Sequence, residues 1–465
     1  MEGFIKTITD INGAINSFAW GPIMLVLLVG TGIFLSFRTG FVQVRRFGYA
    51  MRNTVGSLFK KSRKDHGKNL SPFQAMTTAL AGTVGTGNIA GVTGAIFVGG
   101  PGAVFWMWLS AFFGMCTKYA EIALALKFRE ERQGVHHGGP MYYIEKGLGK
   151  NFKWLAVIFA ILGGLASFGI GNISQSSEIA GALSGMIGLQ PLVTGIILAV
   201  LVAVVILGGV KRIGQVTSYL VPFMAVFYII AGLLVIILRI YQIPEVFVKI
   251  FAGAFSTRAV GGGIFGTVMM QAMRQGFARG VFSNEAGLGS APMAHAASST
   301  KEPCDQAIWG IFEVFIDTIV ICTITAFAVI MSGVLDTPDG LDAFASKGAA
   351  AAQAFNTILP GTIGGTIIQI SLLFFALSTI LGWSYYGERC WGYISGDNKI
   401  VDIVYKVIFV LVCIVGATGS GTLMWDISDT LNGLMAIPNL LALLLLSGVV
   451  AKLTRDYFTP TQLKK

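Results

Sequence analysis

The chain has 465 residues, 54% hydrophobic and only 12% charged, with mean hydropathy +0.72 and formal net charge +10. So few charges cannot cover the surface of a soluble protein this large, which excludes a water-soluble enzyme or binding module and points to a polytopic, all-α membrane protein. Five scattered cysteines form no CxxC pair, which argues against a disulfide framework or a zinc site.

The opening segment, MEGFIKTITD, has neither the basic start nor the A-x-A site of a removable signal peptide. Apolar runs of the roughly 20 residues needed to cross a bilayer core then follow in order. They fall at 21–37, 73–97, 103–126, 154–177, 192–209, 216–238, 263–292, 307–334, 363–386, 401–416 and 431–451. These eleven predicted spans divide the chain. Residues 1–70 hold one extra helix and a basic loop, 71–240 and 255–452 hold five helices each, and 453–465 form a tail.

The loops carry charge asymmetrically. Arg38, Arg45, Arg46, Arg52, Lys60, Lys61, Arg63, Lys64 and Lys68 face the single acid Asp65 between the first two spans. Lys127 to Lys153, Lys211, Arg212, Lys301, Arg389, Lys399 and the tail fall on the same side, while VLDTPDGLDAF and MWDISDT are acidic and fall opposite. The positive-inside rule places the N-terminus outside and the C-terminus in the cytoplasm of a cell (inner) membrane. The net charge therefore sets topology, and no nucleic-acid partner is expected.

Two spans are unlike the others. The second contains LAGTVGTGNIAGV (80–92), with four glycines in thirteen residues, although each costs a helix interior about 1 kcal/mol relative to Ala. The seventh contains FSNEAGLGSAP (282–292), which sets Ser283, Asn284 and Glu285 at membrane depth. Each is the first span of its group of five, and an odd number per group inverts the second group relative to the first. Irregular backbone in a bilayer is tolerated only where it lines a cavity. Paired Gly- or Pro-interrupted spans in matching halves are the sequence pointer to a transporter binding site, where freed amides meet a carboxylate and freed carbonyls meet a cation. A small-residue packing face is the plainer reading of the first stretch alone; the matching second break favours a binding site.

GGPGAVFWMWLSAFFG (99–114), together with GTGNIAG and FSNEAGLGSAPMAHA, closely resembles the hallmark segments of the sodium:alanine (alanine or glycine:cation) symporter family. The resemblance runs from about Phe37 onward. It implies a leucine-transporter-type inverted repeat of five plus five helices, sodium coupling, and a small neutral amino acid as substrate. It also implies roles. The amides of Thr86 and Gly87 would hold the substrate carboxylate, with Asn88 bracing the turn. Gly171 and Gln175 would face the amino group, and Phe282 and Ser283 would line the second break. Trp383, four residues from Thr379 and so on the same helical face, would close the pocket. Sodium would meet the carbonyls of Ala81 and Val84 and the hydroxyls of Ser378 and Thr379, and a second sodium would lie near Thr83, Asn88 and Ser283.

The other polar residues are weighed by position. Glu285 reads as a structural carboxylate paired with Arg274 or Arg279, or else as a cation ligand or a titrating gate. Glu313 and Asp317, four apart, and Glu178 read as buried pairs or gates, and HHGGP (136–140) as a solvated turn. Trp106 and Trp108 read as packing or interface anchors. An intramembrane enzyme would need paired Asp, HExxH or Ser–His/Lys at membrane depth, and none is present. The remaining alternatives are proton coupling on the same fold and glutamine as the substrate.

Overall fold

Backbone crossing a bilayer has no water to bond, so apolar runs must satisfy their amides internally as helices. The computed structural model describes residues 2–58, 67–132, 134–256, 267–337, 339–344, 346–419 and 422–459. Lys60, Lys61, Arg63, Lys64, Asp65, the start of the seventh predicted span, Lys464 and Lys465 lie outside them. Among the described residues eight helices are long and apolar enough to cross a membrane: Lys6–Arg38, Ala103–Lys127, Lys150–Ile187, Gly209–Leu238, Pro303–Ser332, Ile363–Ser395, Lys399–Thr418 and Asp426–Leu445. A ninth is broken: Pro72–Thr83 and Thr86–Gly99 meet at 58°. Pro191–Ile206 and Val268–Asn284 take the two remaining predicted positions.

Burial separates the centre from the perimeter. In Ala103–Lys127, 83% of the apolar stretch is buried inside the protein, against 28% in Lys399–Thr418, whose Ile403, Leu411 and Val415 face outward as lipid-contacting side chains do. The first half-helix crosses Ile363–Ser395 at Gly82 and Gly382. A Cβ on Gly382 would lie 2.5 Å from the Gly82 nitrogen, so glycine there permits backbone contact between two spans.

Several boundaries differ from the sequence reading. The fourth span continues past Glu178 to Ile187 through a π-helical turn at Gly169–Ile173. The last span stops at Leu445, not at 451, and a further helix, Ser447–Phe458, takes the end of that predicted span and the start of the predicted tail. That break lets Phe458 bury while Lys452, Arg455 and Asp456 stay exposed, and the Tyr457 hydroxyl sits 2.8 Å from that of Tyr49. A helix unforeseen in the sequence, Glu2–Ala19, forms the first part of the crossing segment Lys6–Arg38, ahead of the predicted run 21–37; Trp20 just beyond it donates to the Asp429 carbonyl. Nor is HHGGP a solvated turn. Val135–His137 pairs antiparallel with Glu130–Arg132, His136 Nδ1 lies 2.8 Å from the Ser298 carbonyl oxygen, and His137 is buried against Arg389.

Candidate transport site

The first break is built by termination and re-initiation. Pro72–Thr83 starts with a capping box in which Ser71 and Gln74 exchange hydrogen bonds. It ends where Val84 and Gly85 turn extended, and a tight turn at Thr86–Asn88 leads into Ala90–Gly99. Close approach requires glycine at 85, because a Cβ would sit 2.5 Å from Thr379 Oγ1. Asn88 braces the turn: its Oδ1 accepts from the Gly85 amide at 2.9 Å. No described residue accepts from the amides of Thr86 or Gly87, which leaves two adjacent donors at a helix start. The Thr86 hydroxyl donates to Gln175 Oε1 at 3.1 Å, and Gln175 is anchored in turn on the Ile170 carbonyl.

Beside the break, the Ser378 and Thr379 hydroxyls both donate to the Phe375 carbonyl at 2.9 Å, and Ser378 Oγ lies 3.5 Å from the Val84 carbonyl oxygen. Two hydroxyls and two carbonyls therefore share one buried spot, and an all-oxygen set suits a hard cation. Phe375 escaped the sequence reading. Its signal was the habit of helical Ser and Thr to bond the carbonyl three or four residues back. Ala81, the other expected carbonyl, lies at the Gly82–Gly382 crossing, its carbonyl carbon 3.2 Å from where a Cβ on Gly382 would be.

A cavity of about 390 Å³ opens over the break, with Thr86, Gly87, Phe282, Glu178, Arg279 and Lys347 among its walls. Phe282 packs on Gly87, where a Cβ would meet its ring at 3.3 Å. Arg279 stacks over that ring at 5.3 Å and reaches Asp429 at 4.0 Å. Of the sequence-derived binding residues, Thr86, Gly87 and Phe282 reach this wall, whereas Asn88, Gly171, Gln175, Ser283, Thr379 and Trp383 stand behind it. Gly171 backs onto Trp383 so closely that a Cβ would overlap the Trp383 side chain.

The second break carries charge. Val268–Asn284 ends at Glu285, itself in the left-handed region (φ 55°), with Gly287 and Gly289 at φ 96° and 84°. Glu285 accepts from Ser290 Oγ at 2.7 Å and from Thr83 Oγ1 at 3.5 Å. The expected pairing with Arg274 or Arg279 does not form: Arg274 is exposed and Arg279 turns to Asp429. The buried cation is instead Lys118, 3.2 Å from Glu313, which also meets His295 Nε2 at 3.0 Å and Thr83 Oγ1 at 2.8 Å. Glu121 accepts from the Gly287 amide and from Asn439. Lys118 and Glu121 were missed although a lysine and a glutamate mid-way along an apolar span are the usual sign of function. Asp317 takes hydrogen bonds from Asn88 (2.6 Å), Ser283 (2.9 Å) and Thr318 (2.7 Å). Glu313 and Asp317 thus serve different partners, because the helix goes over to a π-helical stretch at Phe315–Cys322.

The family profile described as "Sodium:alanine symporter family" matches residues 5–465. The sodium/alanine symporter AgcS of Methanococcus maripaludis is 50% identical over 447 residues, which cover 95% of this chain and 96% of that protein. The amino-acid carrier protein AlsT of Bacillus subtilis is 38% identical over 462 residues, covering 98% and 93%. Among solved structures, MhsT in complex with L-phenylalanine matches with a TM-score of 0.57 at 15% identity, over 83% of this chain and 99% of that one.

Proposed function

Since this chain belongs to the sodium:alanine symporter family, we propose that it takes up alanine or glycine with sodium by alternating access around its two breaks. It is a multi-pass membrane transporter and not an enzyme. In this reading the Thr86 and Gly87 amides hold the substrate carboxylate, and Gln175 and Gly171 face its amino group. Asn88, Ser283 and Thr379 shape the floor, and Phe282 and Trp383 limit side-chain size. Sodium is held by the Val84 and Ala81 carbonyls with Ser378 and Thr379, and the N-terminus lies outside. The observation that carries the reading is the juxtaposition at one break of two unpartnered amides and a buried oxygen cluster joining segments nearly 300 residues apart. One sodium suffices. A 100 mV potential supplies about 2.3 kcal/mol per charge and a tenfold gradient roughly 1.4 kcal/mol more, enough for accumulation of several hundredfold.

The test is L-alanine uptake into proteoliposomes with and without an inward sodium gradient at fixed pH, beside S378A/T379A. Uptake is expected to require sodium, and the variant to lose that dependence. Uptake indifferent to sodium in the unmodified protein would overturn the reading. A proton-coupled second reading is favoured by one observation: Glu121, Glu285 and Glu313 are all buried near a single lysine, Lys118. It expects uptake to follow a pH gradient without sodium and to lose that response in E285Q. Glycine and glutamine, tried in the same vesicles, decide the substrate within the small neutral class.

A further inference from the structure

At the end of the first span, away from the transport site, the chain turns sharply. Pro22–Arg38 stops at Thr39, Gly40 and Phe41 take left-handed backbone (φ 65° and 53°), and the short helix Val42–Arg45 follows. The C-terminal helix Ser447–Phe458 lies alongside, and a cavity of about 470 Å³ opens between them. Four arginines line it, Arg38, Arg45, Arg46 and Arg455, and among the described residues no aspartate or glutamate does. None of the four forms an ion pair with a described carboxylate. Arg46 stacks at 4.7 Å over Phe458, and among the described residues Arg45 reaches the Gly40 carbonyl, at 3.4 Å.

Four guanidiniums around one concavity repel one another unless an anion sits among them, and their planar forks match phosphate oxygens. The apolar surroundings choose the form of that phosphate. Phe34, Phe37 and Val44 are 42%, 69% and 53% exposed, so the cavity borders an outward-facing apolar strip at the end of a membrane span. A soluble anion has no use for such a strip, whereas acyl chains do. Basic pockets between spans are where anionic headgroups bind. Charge that served topology alone would need no concavity and no alignment of the last helix with the first span.

We infer that this cavity binds the phosphate of an anionic phospholipid in the bordering leaflet, clamping the C-terminal helix to the first span. The experiment reads thermal unfolding of the purified full chain in detergent during titration with phosphatidylglycerol, with phosphatidylcholine, and with soluble glycerol phosphate. A saturable rise in Tm is expected for phosphatidylglycerol only. R45Q/R46Q/R455Q is expected to raise the half-saturating lipid concentration roughly a hundredfold, at about 1 kcal/mol per arginine. The charge-preserving R45K/R46K/R455K, which keeps the topology signal, is expected to fall between. K146Q/K150Q/K153Q, which neutralises a different basic loop, is expected to leave the shift intact. Equal shifts with phosphatidylcholine, an equal shift with glycerol phosphate, or an undiminished shift in the glutamine variant would each overturn the inference. Because the readout is binding and not flux, it is independent of which substrate or cation is transported.

Discussion

The two breaks solve the same problem, unwound backbone at membrane depth, in opposite ways. At the first, the unwound groups are neutral: Gly85 is bonded to Asn88, Thr86 to Gln175, and two amides are left to meet something from outside. At the second, the unwound segment is tied into the protein by ions, with Glu285 reaching Ser290 and Thr83, and Gly287 held by Glu121 and Asn439. In the proposed reading, the Thr86 and Gly87 amides of the first break are the ones that meet substrate. Buried charge ties the second into the protein, with the first half-helix held to it through Thr83. Near-symmetric topology therefore does not entail symmetric chemistry.

The largest effect should come from breaking the charged side. K118M removes the cation and strands Glu313, and breaking a buried pair from one side costs about 3–5 kcal/mol. A large drop in Tm is expected, with partial recovery in K118M/E313Q, where Glu313 is no longer a charge stranded without its partner. An unchanged Tm would mean the cluster does not hold the second break. On the neutral side the expected loss is functional more than structural. In G171A the new methyl collides with Trp383, an overpacking strain of about 1–3 kcal/mol. Alanine uptake should fall at least about tenfold while folding survives, and glycine, the smaller substrate, should suffer less if the strain is relieved into the pocket.

Outside both breaks the effect should be smallest. The Asp397 carboxyl would be raised by burial, but hydrogen bonds from His137 and Arg132 overrule this and hold it at about 2. A depressed pKa stabilises the fold above the unfolded value of roughly 3.9 and is lost as pH falls from there toward 2. D397N should therefore cost about 1 kcal/mol at pH 7 after solvent screening, and the gap to the unmodified protein in Tm should close below pH 4. A gap that persisted there would assign the loss to geometry and not to charge.

Hydropathy and glycine spacing made the spans and both breaks legible, and motif resemblance supplied the site residues. Pairings were less accessible. Glu285 was expected to pair with Arg274 or Arg279, yet Arg279 turns toward Phe282 and Asp429. Phe375 contributes only a carbonyl, which every residue has, so its role shows only through Ser378 and Thr379 bonding back to it. The C-terminal helix was hidden because an apolar run continues across the bend at Leu446.

The sequence by itself determined that this is a helical membrane transporter with two interrupted spans, since lipid contact and backbone unwinding are properties of local composition. Only the tertiary structure decided which groups meet. Val84 faces Ser378, Lys118 faces Glu313, and four arginines from the two ends of the chain share one cavity. Hydropathy encodes a residue's preference for lipid or interior, but pairing inside a bundle depends on how each helix is rotated against its neighbours. That rotation is fixed by contacts such as Gly82 on Gly382, between residues 300 positions apart.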